Sequence, residues 1–194
     1  MIQKLGDAAV RIARPHGKSG ARIVEAVRAW PGVADVALTE AWIGVVFEER
    51  IAVSDEQVAA LGALAAESAG ATVEIAVRYD GPDLADVART LGLDASEVAA
   101  RHSRAEYTVL FLGFRPGFAY LGGLPRELEV PRLPEPRVSV PKNAVAIAGP
   151  YAGVYPFASP GGWRILGTAL DVVLFDGARG SLLRPGDRVR FRPA

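Results

Sequence analysis

The residues best suited to chemistry lie in three short segments of the C-terminal half. The densest is Leu112-Gly113-Phe114-Arg115-Pro116-Gly117-Phe118-Ala119-Tyr120-Leu121-Gly122-Gly123-Leu124. Glycine permits close approach or positive φ, and Pro116 removes backbone freedom. Phe114, Phe118 and Tyr120 offer rigid walls, so the composition suits a preorganised ligand-facing loop that includes Gly117. The same composition serves a loop that turns a barrel corner and buries its rings. In Ala158-Ser159-Pro160-Gly161-Gly162-Trp163-Arg164, the amides of Gly161 and Gly162 near the Ser159 hydroxyl suit carboxylate or phosphate oxygens. A glycine-rich hairpin turn returning Trp163 to the core is the alternative. The third segment repeats arginine after proline, at Pro131-Arg132 and Pro136-Arg137, which fixes two guanidinium groups for a carboxylate, a phosphate or an acidic partner surface. Surface solubility explains either arginine equally well.

His102 is the one histidine beyond residue 16 and the one near-neutral base candidate of this half. It equally suits a cap on the last carbonyls of a short helix. No G-x-x-x-x-G-K-[ST] occurs, so an ordinary P-loop is absent, and Gly81, Gly92 and Gly113 form no dinucleotide fingerprint. Zero cysteines exclude disulfides and thiolate chemistry, and two histidines without metal-ligand spacing make a structural zinc site a poor expectation.

Charge cancels over the 194 residues, at 22 basic and 22 acidic, which gives no field for nucleic acid or an anionic membrane. The halves differ: residues 1–100 hold 9 basic and 15 acidic residues, and residues 101–194 hold 13 and 7. That asymmetry fits docking of the halves on each other, or a C-terminal half receptive to anions. No apolar run is long enough to span a bilayer and no signal-like core follows the N-terminus, so a cytoplasmic protein is the default expectation.

These segments need positioning elements. Ala8 to Ala13 reads as a strand, and Ile23, Val27 and Trp30 recur at helical spacing before Pro31-Gly32. Val33–Leu38 and Trp42–Phe47 read as a hairpin. Ser54 with Gln57 forms a capping box for a helix closed by Gly70, with Val58, Leu61 and Ala65 inward. Thr72–Arg78 alternates as a strand. The resulting order β-α-β-β-α-β over residues 1–80 predicts a ferredoxin-like domain. Asp83–Leu91 and Ser96–Ser103 predict two short helices, Ser96 capping the second, within a helical linker at 81–104. From 105 to 194 short strands (107–112, 144–148, 153–156, 163–166, 172–175, 188–191) separated by turn residues predict a compact β barrel or sandwich, so the chain is of the α+β class. The proline density near 131–141 argues against a place inside a sheet.

The motifs resemble the family of the 5-oxoprolinase B subunit, which also carries KipI-type kinase inhibitors and the older label allophanate hydrolase subunit 1. The resemblance covers nearly the whole chain. It rests on His102 followed by Tyr107, on Gly113-Phe114 through Leu124, on Pro131-Arg132 and on Pro136-Arg137 with Val140-Pro141. Ala146-Ile147-Ala148-Gly149 and Ser159-Pro160-Gly161-Gly162-Trp163 complete it.

The resemblance implies a cyclophilin-like β barrel for the C-terminal part and association with the C and A subunits of 5-oxoprolinase, an enzyme that cleaves 5-oxo-L-proline to L-glutamate. ATP, accompanied by Mg, is the co-substrate of that complex, and a chain acting alone is expected to be inactive. His102 is the implied catalytic residue. Phe114, Pro116, Gly117, Phe118, Tyr120, Arg132, Arg137, Tyr155, Ser159, Gly161, Gly162 and Trp163 are the implied substrate- or partner-binding residues. Related modules act as carboxyltransferase parts of urea carboxylase, and a KipI-type relative inhibits a sensor histidine kinase, which gives a regulatory binding protein as the alternative. The chain departs from the family pattern at Ala152, where threonine is usual, at Thr168 and Ala169, where Arg-Thr is usual, and at Asn143, where glycine is usual. These changes remove a charged donor and hydroxyl groups from a possible oxygen-binding surface.

Overall fold

The computed structural model describes residues 2–66 and 70–194, and the chain divides into two compact units, Met1–Ala69 and Gly70–Ala194. The first unit runs β1 (Ile2–Lys4), β2 (Ala9–Ala13), α1 (Gly20–Arg28), β3 (Val33–Leu38), β4 (Trp42–Phe47) and α2 (Asp55–Gly62). Its antiparallel sheet has the order β1-β2-β4-β3. Strand alternation puts Val10, Ile12, Ile43, Val45, Val36 and Leu38 on one face, and Ile23, Val27 and Leu61 of the helices close the same core. Ser19 accepts from the Arg22 amide at the start of α1, and both bonds of the Ser54–Gln57 capping box form. Helix α2 stops at Gly62, so Ala65 lies beyond it and is exposed; the last part of the expected helix, residues 67–69, lies outside the described residues.

This is not the expected ferredoxin-like arrangement. The strand expected to complete it, β5 (Thr72–Arg78), belongs to the second unit, where it runs parallel to the C-terminal strand through six paired residues. An additional strand, β1, hairpins with β2 in its stead. Alternation at Val73, Ile75 and Val77 specifies a strand with one buried face but carries no information about its partner.

The second unit continues with α3 (Leu84–Leu91), α4 (Ala95–Arg104), β6 (Glu106–Leu112), β7 (Ala119–Gly122), a 3-10 turn (Arg126–Leu128), β8 (Arg137–Val140), β9 (Ala144–Ala148), β10 (Tyr151–Val154), β11 (Ser159–Gly161), β12 (Arg164–Ala169), β13 (Phe175–Asp176), β14 (Gly180–Ser181) and β15 (Arg188–Pro193). Seven strands close a barrel in the order β10-β7-β6-β15-β5-β12-β9, as the strand-rich texture predicts. Helices α3 and α4 are not a detached linker. Leu84, Val87, Ala88 and Val98 enter the barrel core beside Ile75, Tyr107, Leu166, Val189 and Phe191. Asp94, not Ser96, occupies the N-cap of α4. The proline-rich region stays out of the barrel, as expected, but β8 pairs with β11 in a separate two-stranded sheet.

The two faces of the barrel wall differ in composition. Along β9, Val145 and Ile147 enter the barrel core, whereas Ala144, Ala146 and Ala148 meet Phe118, Tyr155 and Trp163 on the outside. Along β7, Ala119 and Leu121 point in while Tyr120, with Phe118 just before the strand, joins the outer layer. Small residues on one side of the wall make room for large rings, which accounts for a strand buried at all five positions.

Candidate functional site

The outer aromatic layer forms a small pocket of about 80 Å³. Phe118, Tyr120, Tyr155 and Trp163 pack edge to face at centroid distances of 5.2 to 5.6 Å, a geometry that aligns ring edges with the negative faces of their neighbours. Phe114 stands at the rim, 55% exposed, its ring centroid 5.5 Å from that of Phe118 in an edge-to-face arrangement. Its φ of 67° puts a bulky side chain in the left-handed region, at a cost of about 1–2 kcal/mol. Gly117, at φ 80°, completes the turn beneath it; a β-carbon there would lie 2.7 Å from Phe175 Cβ.

Glycines set the depth of the pocket. A β-carbon on Gly153 would stand 3.1 Å from both the Phe118 and Trp163 rings, and one on Gly161 would overlap the Tyr155 hydroxyl. Burial raises the pKa of Tyr155, with the Trp163 backbone amide and the charges of Arg132 and Arg137 pulling the other way, so the phenol keeps its proton at neutral pH. Arg132 is the one cation of the lining. Its guanidinium lies 5.9 Å from the Trp163 ring centroid, and it makes no ion pair among the described residues. Of the implied binding residues, Phe114, Phe118, Tyr120, Arg132, Tyr155, Gly161, Gly162 and Trp163 therefore meet around one pocket, together with Pro160. Among the described residues, no carboxylate, histidine or lysine lines it.

The other implied residues lie elsewhere. His102 is fully buried between α4 and the barrel, stacked at 4.7 Å on Phe191, and its Nδ1 is 2.8 Å from the Tyr79 hydroxyl. Nε2 has no hydrogen-bond partner among the described residues. Burial holds the imidazole pKa down to about 3, which makes it a neutral packing residue out of reach of a ligand and not the expected base. Its carbonyl, not its ring, takes part in the helix end, accepting from Tyr107 Oη at 2.9 Å. Arg137 pairs with Asp83 at 2.6 Å and is not part of the pocket lining. Pro116 is exposed on the loop outside the lining, and Ser159 is buried and donates to the Phe157 carbonyl at 3.1 Å.

The departures from the family pattern also miss the pocket. Ala152 faces the barrel interior opposite Ile147 and Leu121, and Ala169 is buried in the same core. Thr168 donates to Asp80 at 3.0 Å, outside the lining. Asn143 has φ 64°, where glycine and asparagine are both at ease, so its exchange for glycine preserves a backbone shape. The expectation that these changes strip the oxygen-binding surface is corrected for Ala152, Ala169 and Asn143 by where the fold puts them.

Residues 3–182 match the carboxyltransferase domain, subdomains C and D. The chain belongs to that carboxyltransferase-domain family. Among curated relatives, the 5-oxoprolinase B subunit of Escherichia coli O157:H7 is 55% identical over 127 residues, covering 62% of this chain and 57% of its own length. The Haemophilus influenzae protein of the same name is 44% identical over 127 residues, covering 63% and 59%. The matched region thus spans little more than half of these relatives. Two solved structures extend the likeness to all of this carboxyltransferase-domain chain. A conserved uncharacterized protein from Pyrococcus horikoshii is 32% identical with TM-score 0.61, covering 100% of this chain and 97% of its own. The Kluyveromyces lactis urea amidolyase is 15% identical with TM-score 0.72, covering 100% and 15%, a likeness of fold.

Proposed function

We propose that the chain is the B component of an ATP-dependent 5-oxoprolinase, contributing the aromatic pocket and Arg132 to a site completed by a C subunit, with an A subunit in the same assembly. The observation that carries this reading is the convergence of eight separately recognised motif residues on one pocket, in a chain 44% and 55% identical to proteins named as the B subunit of 5-oxoprolinase. A flat five-membered lactam suits edge-to-face rings, and its carboxylate suits the unpaired guanidinium at the rim. The pocket is open and small, so it seats one side of the substrate and leaves the rest to a partner.

An unstrained lactam is a poor electrophile, which is why its cleavage consumes ATP, with Mg accompanying the nucleotide. No group of three metal-ligating side chains occurs among the described residues. In this reading the chain binds and orients 5-oxo-L-proline. No helix among the described residues is long and apolar enough to cross a membrane. A steady-state glutamate-release assay with each component omitted in turn tests the proposal. Release by the three-component mixture, and by no mixture lacking this chain, supports it. ATP consumption without glutamate refutes the substrate, and failure of any C subunit to bind favours the regulatory alternative.

A further inference from the structure

Arg132 sits on a segment without regular secondary structure, between Val130, which bridges to Gly149, and the start of β8. A long cation on such a segment needs both ends of it fixed before its guanidinium can be directed. Two Arg–Asp pairs fix them, and both aspartates stand at the N-terminal end of α3. At the far end Arg137 donates to Asp83 Oδ1 at 2.6 Å, while Asp83 Oδ2 accepts the Ile165 amide at 2.7 Å. Asp83 occupies the N-cap position of α3 yet makes no capping bond with its side chain. An aspartate there ordinarily stabilises its own helix by accepting from an amide of the first turn; this one, 8% exposed, commits both oxygens to the pocket segment and the β12 strand.

At the near end Arg164 spans two anchors. Its Nη1 pairs with Asp86 Oδ2 at 2.7 Å and its Nε donates to the Pro131 carbonyl at 3.3 Å, one residue from Arg132. Asp86 is also held by Arg89 at 2.8 Å. Between the two clamps the Leu133 amide donates to the Gly162 carbonyl at 2.7 Å, tying the segment to the glycine rim of the pocket. Neither aspartate, nor Arg137 or Arg164, is part of the pocket lining.

We infer that Asp83 and Asp86 are positioning residues that set Arg132 over Trp163, so that α3 acts as a strut for the anion-binding edge of the pocket. The inference rests on the 5-oxoprolinase reading for its kinetic test but not for its spectroscopic one. In the assembled complex, Asp86→Asn and Asp83→Asn each raise KM for 5-oxo-L-proline about five- to tenfold and change kcat by less than about twofold. In an Arg132→Ala background the same substitutions change KM by less than about twofold, since the group they act through is gone. In the chain alone, with Trp30→Phe and Trp42→Phe leaving Trp163 as the single indole, Asp86→Asn shifts Trp163 emission and raises its quenching by acrylamide. Should Asp83→Asn fail to fold, the half-exposed Asp86 carries the test. An undiminished KM effect in the Arg132→Ala background, or an unaltered Trp163 signal in Asp86→Asn, overturns the inference. Absence of glutamate release by the wild-type complex overturns the substrate assignment instead, and the Trp163 arm still decides the positioning claim.

Discussion

Gly161 lies directly against the Tyr155 hydroxyl, with no room for a β-carbon between them. Tyr155 comes from the end of β10 and Gly161 from β11, so this contact holds the small two-stranded sheet down on the aromatic layer. Gly161→Ala must lift that sheet or tilt the ring, and is expected to destabilise the protein by about 1–3 kcal/mol in chemical denaturation. Adding Tyr155→Phe, which deletes the colliding oxygen, should recover part of the loss. No recovery would mean that the strain lies elsewhere.

The two Pro-Arg pairs should behave differently. Removing Arg137 strands Asp83 in a site where it is 8% exposed, so Arg137→Ala is expected to cost roughly 3 kcal/mol of folding stability. Arg132→Ala leaves no partner behind and should change stability by less than about 0.5 kcal/mol. Denaturant midpoints of the two variants make the comparison; equal losses would contradict it.

His102 gives the fold an acid sensitivity. Its folded pKa of about 3 lies below the ordinary value of 6.5, so between those values the unfolded chain takes up a proton that the folded chain refuses. Stability contributed by the neutral ring is complete above pH 6.5 and falls as pH drops toward 3, by about 1.4 kcal/mol per pH unit. Unfolding free energies of wild type and His102→Gln, measured from about pH 7 to about pH 5, should diverge with wild type the steeper. Parallel curves would refute the buried neutral state.

The unit boundary is open to a truncation test. A fragment of residues 70–194 retains β5 and all its barrel pairings and should unfold cooperatively, whereas one of residues 81–194 lacks the strand between β12 and β15 and should not. Cooperative unfolding of the shorter fragment would return β5 to the N-terminal sheet.

Much of this was legible in the residues, though unevenly. The capping box at Ser54 and Gln57 and strands β2, β3 and β4 of the first sheet follow from local chemistry, because caps and alternation act within a few residues, whereas β1 was not expected. The sheet to which β5 belongs did not, because pairing with β15 joins residues far apart in sequence. The glycine- and aromatic-rich segments marked the pocket, since positive φ and close ring packing both leave a compositional trace. His102 and Arg137 misled for one reason: a titratable side chain has the same letter at a site and in a core, and only Phe191 and Asp83, brought in by the fold, tell which. Asp83 could have been suspected from an aspartate at a helix start; that its carboxylate serves Arg137 could not.

The proposed role of the pocket depends on Arg132 as its anion contact, and the most direct measurement of that proposal is KM for 5-oxo-L-proline in the three-component complex with Arg132→Ala. The control is Arg126→Ala, which removes the same charge from a position outside the pocket. Loss of a charge-assisted contact worth about 1.5–3 kcal/mol predicts that KM rises at least about tenfold in Arg132→Ala and stays within about twofold of wild type in Arg126→Ala. An unchanged KM in Arg132→Ala, or the same rise in both variants, would contradict that role.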